Sequence, residues 1–405
     1  MACRTGKGII DIQLEKRIAI LGSTGSIGRS ALEVVEHLGP PYRVVALSAH
    51  RNHARLLEQA RRFRPAVVGV TDGEVSPQAA AEFAALGCEV LQGQESLCRI
   101  ASRDDVDIVL AAVVGAASLP AVIAAVEKGK RLALASKESL VVAGSLLIPL
   151  ARRTGAEILP VDSEHSAVFQ AMQCGTGEQV RRVVLTASGG PFREASVQEM
   201  EQATVADALN HPTWRMGGKI TIDSATMFNK ALEVIEACWL FSLPPEKVEV
   251  VIHPESIVHS MVEFVDGSVI AQLSPPDMRT PIQYALTYPD RAVGIAPRLD
   301  LATAFRLTFE PPDPRRFPAL RLAFEVARTG GVSGAVLNAA NEVAVEAFRD
   351  GRISFGDIAR IVERTIRLHH LQPRPGLADL LEADRRARQL ARTMVEERQS
   401  QPAVT

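Results

Sequence analysis

KRIAILGSTGSIG, residues 16–28, joins an apolar run directly to a loop containing three glycines. A helical pattern follows at 29–38, and a second apolar run follows at 42–47. Strand, glycine loop, helix and strand in this order predict a mononucleotide-binding unit. The spacing G-x-x-G-x-x-G differs from the commoner G-x-G-x-x-G, so a plain tight turn is the alternative. The flanking strand and helix favour nucleotide binding.

The end of the second strand indicates which nucleotide this unit would take. An NAD site places an acid there to bind the ribose hydroxyls. This chain instead has His50, Arg51 and Asn52. Arg51 can bind a 2′-phosphate, which favours NADP; a surface arginine on the next helix is the alternative. The pyrophosphate would face backbone N–H groups at the start of the first helix; these belong to Thr24, Gly25, Ser26 and Ile27.

Strand and helix patterns continue to alternate up to residue 152. We expect strands at 66–70, 89–91, 108–113 and 131–135, and helices at 78–86, 119–128 and 139–152, with a further helix ending at 102. Repeated βα units predict a parallel doubly wound sheet, in which ligands bind beyond the carboxyl ends of the strands. Lys137 and Glu138 follow one such end. Lys137 can contact a substrate oxygen, although a lysine is also common at a helix start.

The segment ILPVDSEHS, residues 158–166, contains Asp162 and Glu164 just after an apolar run. Side chains two apart on a strand point the same way, so we expect both carboxylates on one side of a strand end. Such close carboxylates repel each other unless a proton or cation lies between them. Oxygen ligands suit magnesium or manganese. A solvated loop with two ordinary acids is the alternative.

Beyond residue 166 the pattern predicts a second kind of architecture. Strands expected at 180–186, 249–260 and 268–273 would form a second, mixed sheet. Residues 275–318 are rich in proline and are expected to be a linker, apart from a short helical piece at 280–287. Helical patterns at 320–328, 335–349, 355–368 and 378–397 predict a C-terminal bundle. Asn338, Asn341 and Glu342 within it are expected to make packing contacts.

Candidate anion-binding residues lie in this second half. Ser188 precedes two glycines, which suits anion capture or a plain turn. A helix is expected from about Ala225, with Ser224 just before its positive end. Ser224, Asn229 and Lys230 would then form a phosphate site, and Glu233, one turn further on, a third carboxylate. An ordinary solvated helix face is the alternative.

HPTWRMGGK, residues 211–219, places a Trp and a Met between a proline and two glycines. This composition predicts a lid that covers a ligand; a rigid core loop is the competing interpretation.

Composition excludes several classes of protein. The chain has 405 residues and a formal net charge of -2, which argues against nucleic acid as a partner. Five cysteines without a C-x-x-C motif indicate reduced thiols and a cytoplasmic location. The uncharged run 108–126 is better explained by a strand, a turn and a helix than by a membrane span. The N-terminal residues resemble neither a signal nor a transit peptide.

Six motifs together resemble the 1-deoxy-D-xylulose 5-phosphate reductoisomerase family, from residue 17 to about 392. They are GSTGSIG at 22–28, SKES at 136–139, VDSEHSA at 161–167, ASGGPF at 187–192, HPTWRMGGKI at 211–220 and DSATMFNKALEVIEA at 223–237.

The resemblance implies an activity and an organisation. The family converts 1-deoxy-D-xylulose 5-phosphate, a sugar phosphate, to 2-C-methyl-D-erythritol 4-phosphate in the non-mevalonate isoprenoid pathway. It uses NADPH and a divalent cation, Mg²⁺, Mn²⁺ or Co²⁺, and is typically a homodimer. The expected parts are a tail at 1–15, a Rossmann-like NADPH-binding domain at 16–161, a central α+β catalytic and dimerisation domain with a second sheet at 162–287, a linker at 288–318 and a C-terminal helical domain at 319–405.

The resemblance also implies roles for individual residues. The metal ligands would be Asp162, Glu164 and Glu233. Lys137, Glu164, His211 and Glu233 would be catalytic, and substrate would also contact Ser163, Ser188, Ser224, Asn229 and Lys230. NADPH would contact Thr24, Gly25, Ser26, Ile27, His50, Arg51, Asn52, Ser136, Glu138 and Gly217.

The chain departs from the family pattern in the cofactor region. The family usually has Asn where Ser136 stands, and often Gly-Lys where His50 and Arg51 stand. Two rival functions are a metal-independent NADP dehydrogenase, which needs no third carboxylate, and a non-enzymatic NADP-binding regulator, which would lose nothing on mutation of Glu233. Metal-dependent NADPH oxidation with the sugar phosphate separates all three.

Overall fold

The first half of the chain forms a seven-stranded sheet. The computed structural model describes residues 15–303 and 305–400. All seven strands are parallel, in the order β4-β3-β2-β1-β5-β6-β7. They are β1 Lys16–Leu21, β2 Tyr42–Ala49, β3 Val67–Val70, β4 Glu89–Gln92, β5 Ile108–Ala111, β6 Arg131–Leu134 and β7 Ile158–Pro160. The strand order reverses between β1 and β5, and such switch points bind ligands in doubly wound sheets.

Helices follow each of these strands. They are α1 Ser26–Leu38, α2 His53–Phe63, α3 Pro77–Ala85, α4 Glu95–Ala101, α5 Leu119–Glu127, α6 Glu138–Thr154 and α7 Ser163–Met172. Most of the strand residues are buried, except in the outer strand β4, where Glu89 and Gln92 are exposed. The apolar side chains of the strands contribute to two cores. Continuous apolar strands of this kind are typical of a parallel sheet with both faces covered.

The second sheet has the order β11-β10-β8-β9 and is mixed, because β8 pairs with β9 in parallel and with β10 antiparallel. Its strands are β8 Val180–Ala187, β9 Val248–Ile252, β10 Val258–Phe264 and β11 Val269–Leu273. The helices between β8 and β9 are α8 Val197–Glu201, α9 Val205–Leu209, α10 Gly218–Ala225 and α11 Phe228–Leu240. Helix α11 packs against α6 of the first domain.

The remaining helices serve both sheets. They are α12 Arg279–Thr287, α13 Pro318–Thr329, α14 Ser333–Arg349, α15 Phe355–Leu368 and α16 Leu377–Ser400. Helix α12 packs against α1, β6 and β7, and its Ile282, Ala285 and Leu286 lie in a core of the first sheet. Helix α14 contacts α6, α10, α15 and α16. Through α14, the C-terminal helices therefore pack against both α6, which belongs to the first half of the chain, and α10, which belongs to the second half.

The predicted fold class is confirmed: a doubly wound parallel sheet, a second mixed sheet and a C-terminal helical bundle are all present. Three local predictions are wrong. The strand expected at 249–260 is two strands, β9 and β10, because residues 253–257 leave the extended conformation. Asp162 and Glu164 do not extend a strand, because β7 ends at Pro160 and Asp162 caps helix α7. The helix expected from Ala225 is two helices, α10 and α11, separated where Met227 has a left-handed φ of 62°.

Two further predictions concern the cysteines and the termini. The four cysteines in the described part of the chain are free thiols. Within those residues, no helix has the length and apolar character needed to cross a membrane. Cys3 and nearly all of the predicted N-terminal tail, 1–15, lie outside the described residues, as does the end of the chain from 401.

Candidate active site

The loop after β1 has the close backbone packing expected of a phosphate-binding turn. A side chain at Gly22 would meet the Ala112 carbonyl at 2.6 Å, and one at Gly28 would meet the Gly22 carbonyl at 2.4 Å. Gly25 is the N-cap of α1, which has no side-chain cap and no acid in its first turn. The first N–H groups of a helix lack partners within the helix, so those of Ser26 and Ile27 can bind an anion.

The end of β2 carries Arg51 as predicted, but with an unexpected neighbour. Arg51 Nε donates to Asp72 Oδ2 at 2.6 Å, and this hydrogen bond lowers the pKa of Asp72. His50 contacts Thr71 at 2.9 Å, and Asn52 caps α2 by accepting from the Arg55 N–H. Sequence reasoning considered acids only at the end of β2 and missed Asp72. Since β3 is the parallel neighbour of β2, an acid after β3 was the available signal.

Two predicted cofactor residues, Ser136 and Glu138, lie at the start of α6. The Ser136 hydroxyl is buried and accepts a hydrogen bond from the Ser118 hydroxyl at 3.0 Å, so it belongs to a cluster of hydroxyls. Glu138 is the first residue of α6 and is also buried. The nearby Lys219 Nζ lies 3.9 Å from its Oε1. Gly217, two residues before Lys219, caps α10, so this predicted cofactor residue lies in the chain segment beside Glu138.

Three carboxylates meet between α7 and α11. One oxygen each from Asp162, Glu164 and Glu233 lies within 4.8 Å of the other two. Asp162 and Glu164 are brought together by the first turn of α7, whereas Glu233 comes from the middle of α11. The three residues therefore lie together, and a helix start rather than a strand end brings Asp162 and Glu164 there. Their role as metal ligands stays a prediction.

Two ammonium groups lie among these carboxylates. Lys137 Nζ is 2.6 Å from Asp162 Oδ2 and 2.9 Å from Glu233 Oε1. Lys230 Nζ contacts Glu164 at 2.8 Å and also contacts Glu233. Burial opposes the charge on both lysines, but the carboxylates around them outweigh it and raise both lysine pKa values.

The carboxylates differ in how this environment affects them. Burial would raise the pKa of Asp162, but the Lys137 ammonium outweighs it and holds that pKa well below its usual range. Burial raises the pKa of Glu233, and the charge of Glu164 adds to the effect. The buried Asp162 Oδ2 faces the Lys137 ammonium at 2.6 Å and has no well-formed hydrogen bond among the described residues. Such an oxygen suits a metal ligand.

His165 and Glu236 lie directly beneath this cluster, and sequence reasoning missed both. His165 Nδ1 is 3.4 Å from Glu236 and 3.6 Å from Asp162, and its Nε2 contacts the Glu233 carbonyl at 3.0 Å. Burial raises the pKa of Glu236 to about 7. Burial would lower the pKa of His165, but Glu236 and Asp162 outweigh it and raise that pKa to about 9. The i,i+3 spacing of these residues from Glu233 and Asp162 was the available signal.

The predicted anion-binding residues divide into two groups. His211 Nε2 lies 3.1 Å from both Ser188 Oγ and Ser224 Oγ, so these three form one pocket. Asn229 donates to Glu233 and accepts from Lys137, and so belongs to the carboxylate cluster together with Lys230. The Ser163 hydroxyl likewise donates to Glu164. Ser224 lies in the last turn of α10 and not before the first turn of a longer helix.

The predicted lid is an irregular segment before α10. His211 Nδ1 accepts hydrogen bonds from the N–H groups of Thr213 at 3.2 Å and Trp214 at 2.9 Å. Trp214 is half-buried, and its ring centroid is 6.4 Å from that of His259 on β10. The imidazole of His211 therefore joins the start of the lid to the serine pocket.

The nucleotide loop follows β1 and the carboxylate cluster follows β7, so both lie at the same edge of one parallel sheet. A dinucleotide and a cation-bound substrate would meet at that edge. These features define the class of NADP-dependent oxidoreductases that act with a divalent cation.

Comparison with known proteins identifies the family within this class. Models of 1-deoxy-D-xylulose 5-phosphate reductoisomerase match residues 18–144 and, for its C-terminal domain, 158–241; a DXP reductoisomerase C-terminal domain matches 273–390. The enzyme of this name from Pelodictyon phaeoclathratiforme is 50% identical over 380 residues, covering 94% of this chain and 100% of the relative. That from Heliobacterium modesticaldum is 52% identical over 384 residues, covering 94% and 98%.

Solved structures agree. The reductoisomerase from Zymomonas mobilis in complex with NADPH has a TM-score of 0.89 and 44% identity, covering 94% of this chain and 99% of that one. A DOX-P reductoisomerase in complex with NADPH, fosmidomycin and magnesium has a TM-score of 0.87 and 43% identity, covering 94% and 98%. The chain belongs to the 1-deoxy-D-xylulose 5-phosphate reductoisomerase family.

Family membership confirms the resemblance drawn from the six motifs. It also confirms the predicted enzyme class, an NADPH-dependent reductoisomerase. The predicted cofactors, NADPH and a divalent cation, agree with the ligands of the related structures.

Proposed function

We propose that this chain converts 1-deoxy-D-xylulose 5-phosphate to 2-C-methyl-D-erythritol 4-phosphate through the residues described above. The observation that carries the proposal is the convergence of Asp162, Glu164 and Glu233 within 4.8 Å of one another. Three carboxylates on a hydride-transfer scaffold suit a substrate whose oxygens must be held by a cation. A plain dehydrogenase needs no such cluster.

Asp162, Glu164 and Glu233 would hold the divalent cation, and the donor set fits. All three ligands are carboxylate oxygens, which suit Mg²⁺, Mn²⁺ or Co²⁺. When bound, the cation polarises substrate oxygens during rearrangement of the carbon skeleton, and NADPH supplies the hydride for the reduction. Lys137 and Lys230 remain close enough to balance charge as the substrate enters.

Ser188, His211 and Ser224 would bind the substrate phosphate. Their hydroxyls and imidazole form one hydrogen-bonded group, and burial lowers the pKa of His211. Asn229 and Lys230 begin the adjacent helix α11, so they extend this pocket toward the carboxylates. Binding a phosphate away from the reacting carbons can hold and orient them.

The Rossmann-like domain would bind NADPH. The N–H groups of Thr24, Ser26 and Ile27 would receive the pyrophosphate, and His50, Arg51 and Asn52 the adenosine end. Gly25 would shape the turn beside the pyrophosphate, because its N–H donates to the Gly22 carbonyl at 3.1 Å. Ser136, Glu138 and Gly217 would line the nicotinamide end. The hydroxyl of Ser136 is already hydrogen-bonded to Ser118 and Ser139. We therefore infer that Ser136 stabilises the loop before α6 more than it binds the cofactor directly.

We further propose that the protein is a homodimer joined through the second sheet. In the described part of the chain, the edge strand β11 pairs only with β10. Large apolar side chains near this edge are exposed, including Val265, Val269 and Leu273. An adjoining groove of about 620 Å³ is lined by β11, α7 and α12. Open strand edges with apolar neighbours are typical of surfaces that pair with another chain.

A cytoplasmic location is part of the same proposal and is supported by the free thiols.

The test is NADPH oxidation by the purified protein with 1-deoxy-D-xylulose 5-phosphate, measured with and without added divalent cation. We expect turnover only with both substrate and cation. Turnover that ignores chelation would favour a metal-independent dehydrogenase, and NADPH binding without turnover would favour a regulator.

A further inference from the structure

Helix α10, which follows the lid, carries a buried ion pair that the proposed reaction does not use. Lys219 Nζ lies 2.5 Å from Asp223 Oδ2, one helical turn further on. The Asp223 side chain is 2% exposed and that of Lys219 is 19% exposed. Asp223 directly precedes Ser224, whose hydroxyl faces the proposed phosphate pocket.

This pair joins α10 to two other parts of the molecule. Asn341 Nδ2 of α14 donates to Asp223 Oδ1 at 2.8 Å, and Asn341 has no exposed surface. On the other side, Lys219 Nζ lies 3.9 Å from Glu138 at the start of α6. A single group of contacts therefore connects α14, α10 and the proposed cofactor residue Glu138.

Stability alone does not account for such a group. Burying an ion pair costs desolvation free energy that apolar packing avoids, and replacing such pairs by apolar residues is often neutral or stabilising. What a buried charged contact can provide is one defined arrangement, because any other leaves a charge or amide without a partner.

Helix α10 needs such a constraint. It has eight residues, and both of its ends are points of backbone change. It begins at the Gly217–Gly218 pair, and it ends just before Met227, whose φ is 62°. A helix of this length is not stable by itself, so its position depends on tertiary packing. The contacts of Lys219 and Asp223 fix its position against α6 and α14.

We propose that Lys219, Asp223 and Asn341 are positioning residues that set where α10 holds Ser224 and Gly217, an inference that rests on the proposed function. The helix carries the phosphate contact at one end and the cofactor contact at the other. A shift of α10 by about 1 Å would spoil the 3.1 Å contact between Ser224 and His211 and can cost about 100-fold in rate. The C-terminal helices thereby contribute to substrate binding without touching substrate.

The chain offers a matched control on the same helix. Asn338 lies one turn before Asn341 on α14 and is equally buried, but its amide donates to Glu342 within that helix at 3.1 Å. Asn338→Leu and Asn341→Leu each remove one buried amide from α14. Only Asn341→Leu removes a contact to α10.

We expect both variants to lower Tm, but only Asn341→Leu to raise KM for the sugar phosphate, by about 10-fold or more. It should also reduce the change in Trp214 fluorescence on adding substrate, measured in a Trp239→Phe background. Lys219→Met, which keeps the aliphatic stem and removes the ammonium, should raise KM in the same way and decides the question if Asn341→Leu does not fold. The exchange Asp223→Asn with Asn341→Asp restores a donor–acceptor pair and should recover part of the loss of either single change.

Two results would overturn this inference: an unchanged KM in both Asn341→Leu and Lys219→Met, or an equal rise in Asn338→Leu. Unaltered protein is assayed beside the variants. If it does not turn over, the proposed function fails; if it turns over and the variants bind substrate normally, only the positioning role fails.

Discussion

Glu233 has no exposed surface and contacts both Lys137 and Lys230. Glu233→Gln keeps the shape of the side chain and removes one charge from the carboxylate cluster. We expect weaker metal binding and a fall in turnover of about 100-fold or more, because a ligand charge is lost where the cation must stabilise developing charge. NADPH affinity should stay near normal. The measurements are activity against metal concentration and a separate NADPH titration.

Glu249→Gln is the matched control for this change. Glu249 is an acid on β9 that pairs with Arg182 at the surface. Glu249→Gln should leave the dependence of activity on metal concentration unaltered. Full activity of Glu233→Gln at low metal would mean that Glu233 is not a ligand and that the proposed metal site is wrong.

Arg51 is the residue expected to select NADPH over NADH. Arg51→Asp should narrow or reverse the preference in kcat/KM, because a carboxylate repels a 2′-phosphate and can bind ribose hydroxyls. Asp72 pairs with the Arg51 guanidinium, but Asp72→Asn leaves that guanidinium in place. Asp72→Asn should therefore leave NADPH preferred over NADH. Arg61→Asp, which breaks a similar surface pair with Glu82, is the control. Equal use of both cofactors by the unaltered protein would contradict the assignment.

Candidate site residues could be proposed from the sequence where their chemistry is local. Asp162, Glu164 and Glu233 are identifiable because acids near an apolar strand and on a helix face are visible in the sequence. Asp72 and Glu236 were missed because each matters through a neighbour distant along the chain, Arg51 and His165 respectively. The available signals, an acid after the neighbouring strand and an i,i+3 spacing from a candidate ligand, become informative only once the tertiary packing is known.

The lid offers a prediction at the level of an element. His211 Nδ1 accepts from the backbone of Thr213 and Trp214, so it must be unprotonated for the lid start to hold. Burial lowers the pKa of His211, so the unfolded segment binds a proton more readily than the folded one. The contact is therefore intact above the ordinary histidine value of about 6.5 and is lost as the pH falls below it.

In ligand-free protein we expect Trp214 fluorescence to report a loosening lid as the pH falls below about 6.5. Trp239→Phe leaves Trp214 as the remaining indole, since the chain has two tryptophans. His211→Gln should abolish the pH dependence in this range. A transition that persists in His211→Gln would assign the effect to another group.

Element boundaries show where sequence patterns lose their force. The alternation of strand and helix up to α6 was predictable because buried parallel strands are short apolar runs with turns between them. The break between α10 and α11 was not, because Met227 adopts a left-handed conformation with no glycine or proline to mark it. Packing of α11 against α6 and α13 overrides the local preference there.

For the whole molecule, the proposed dimer is the most direct prediction. Val269 on β11 is 53% exposed, and Val197 on α8 is 45% exposed. Val269→Lys should shift the protein toward monomer in light scattering after size exclusion, because a buried unpaired charge is costly at an interface. Val197→Lys should leave the mass unchanged. A monomeric unaltered protein would refute the dimer, and a dimeric Val269→Lys variant would place its surface elsewhere.

The division into domains at 16–161, 162–287 and 319–405 remains our proposal. Composition marked the proline-rich linker, and periodicity marked the helical bundle. Neither could show that α14 reaches back to α6 and α10. Limited proteolysis with mass analysis of the fragments would test these boundaries.

The core of the nucleotide-binding sheet is completed by helix α12, which is synthesised more than 100 residues after the strands it covers. Ile282, Ala285 and Leu286 complete a core shared with Ile18, Ile20 and Val44, strand residues near the start of the chain. A nascent chain released at residue 161 would expose that apolar face to water and to chaperones. We infer that residues 16–161 leave the ribosome before they can finish folding. A fragment ending at 161 should aggregate in a translation extract, and adding a peptide of residues 277–290 should keep more of it in solution.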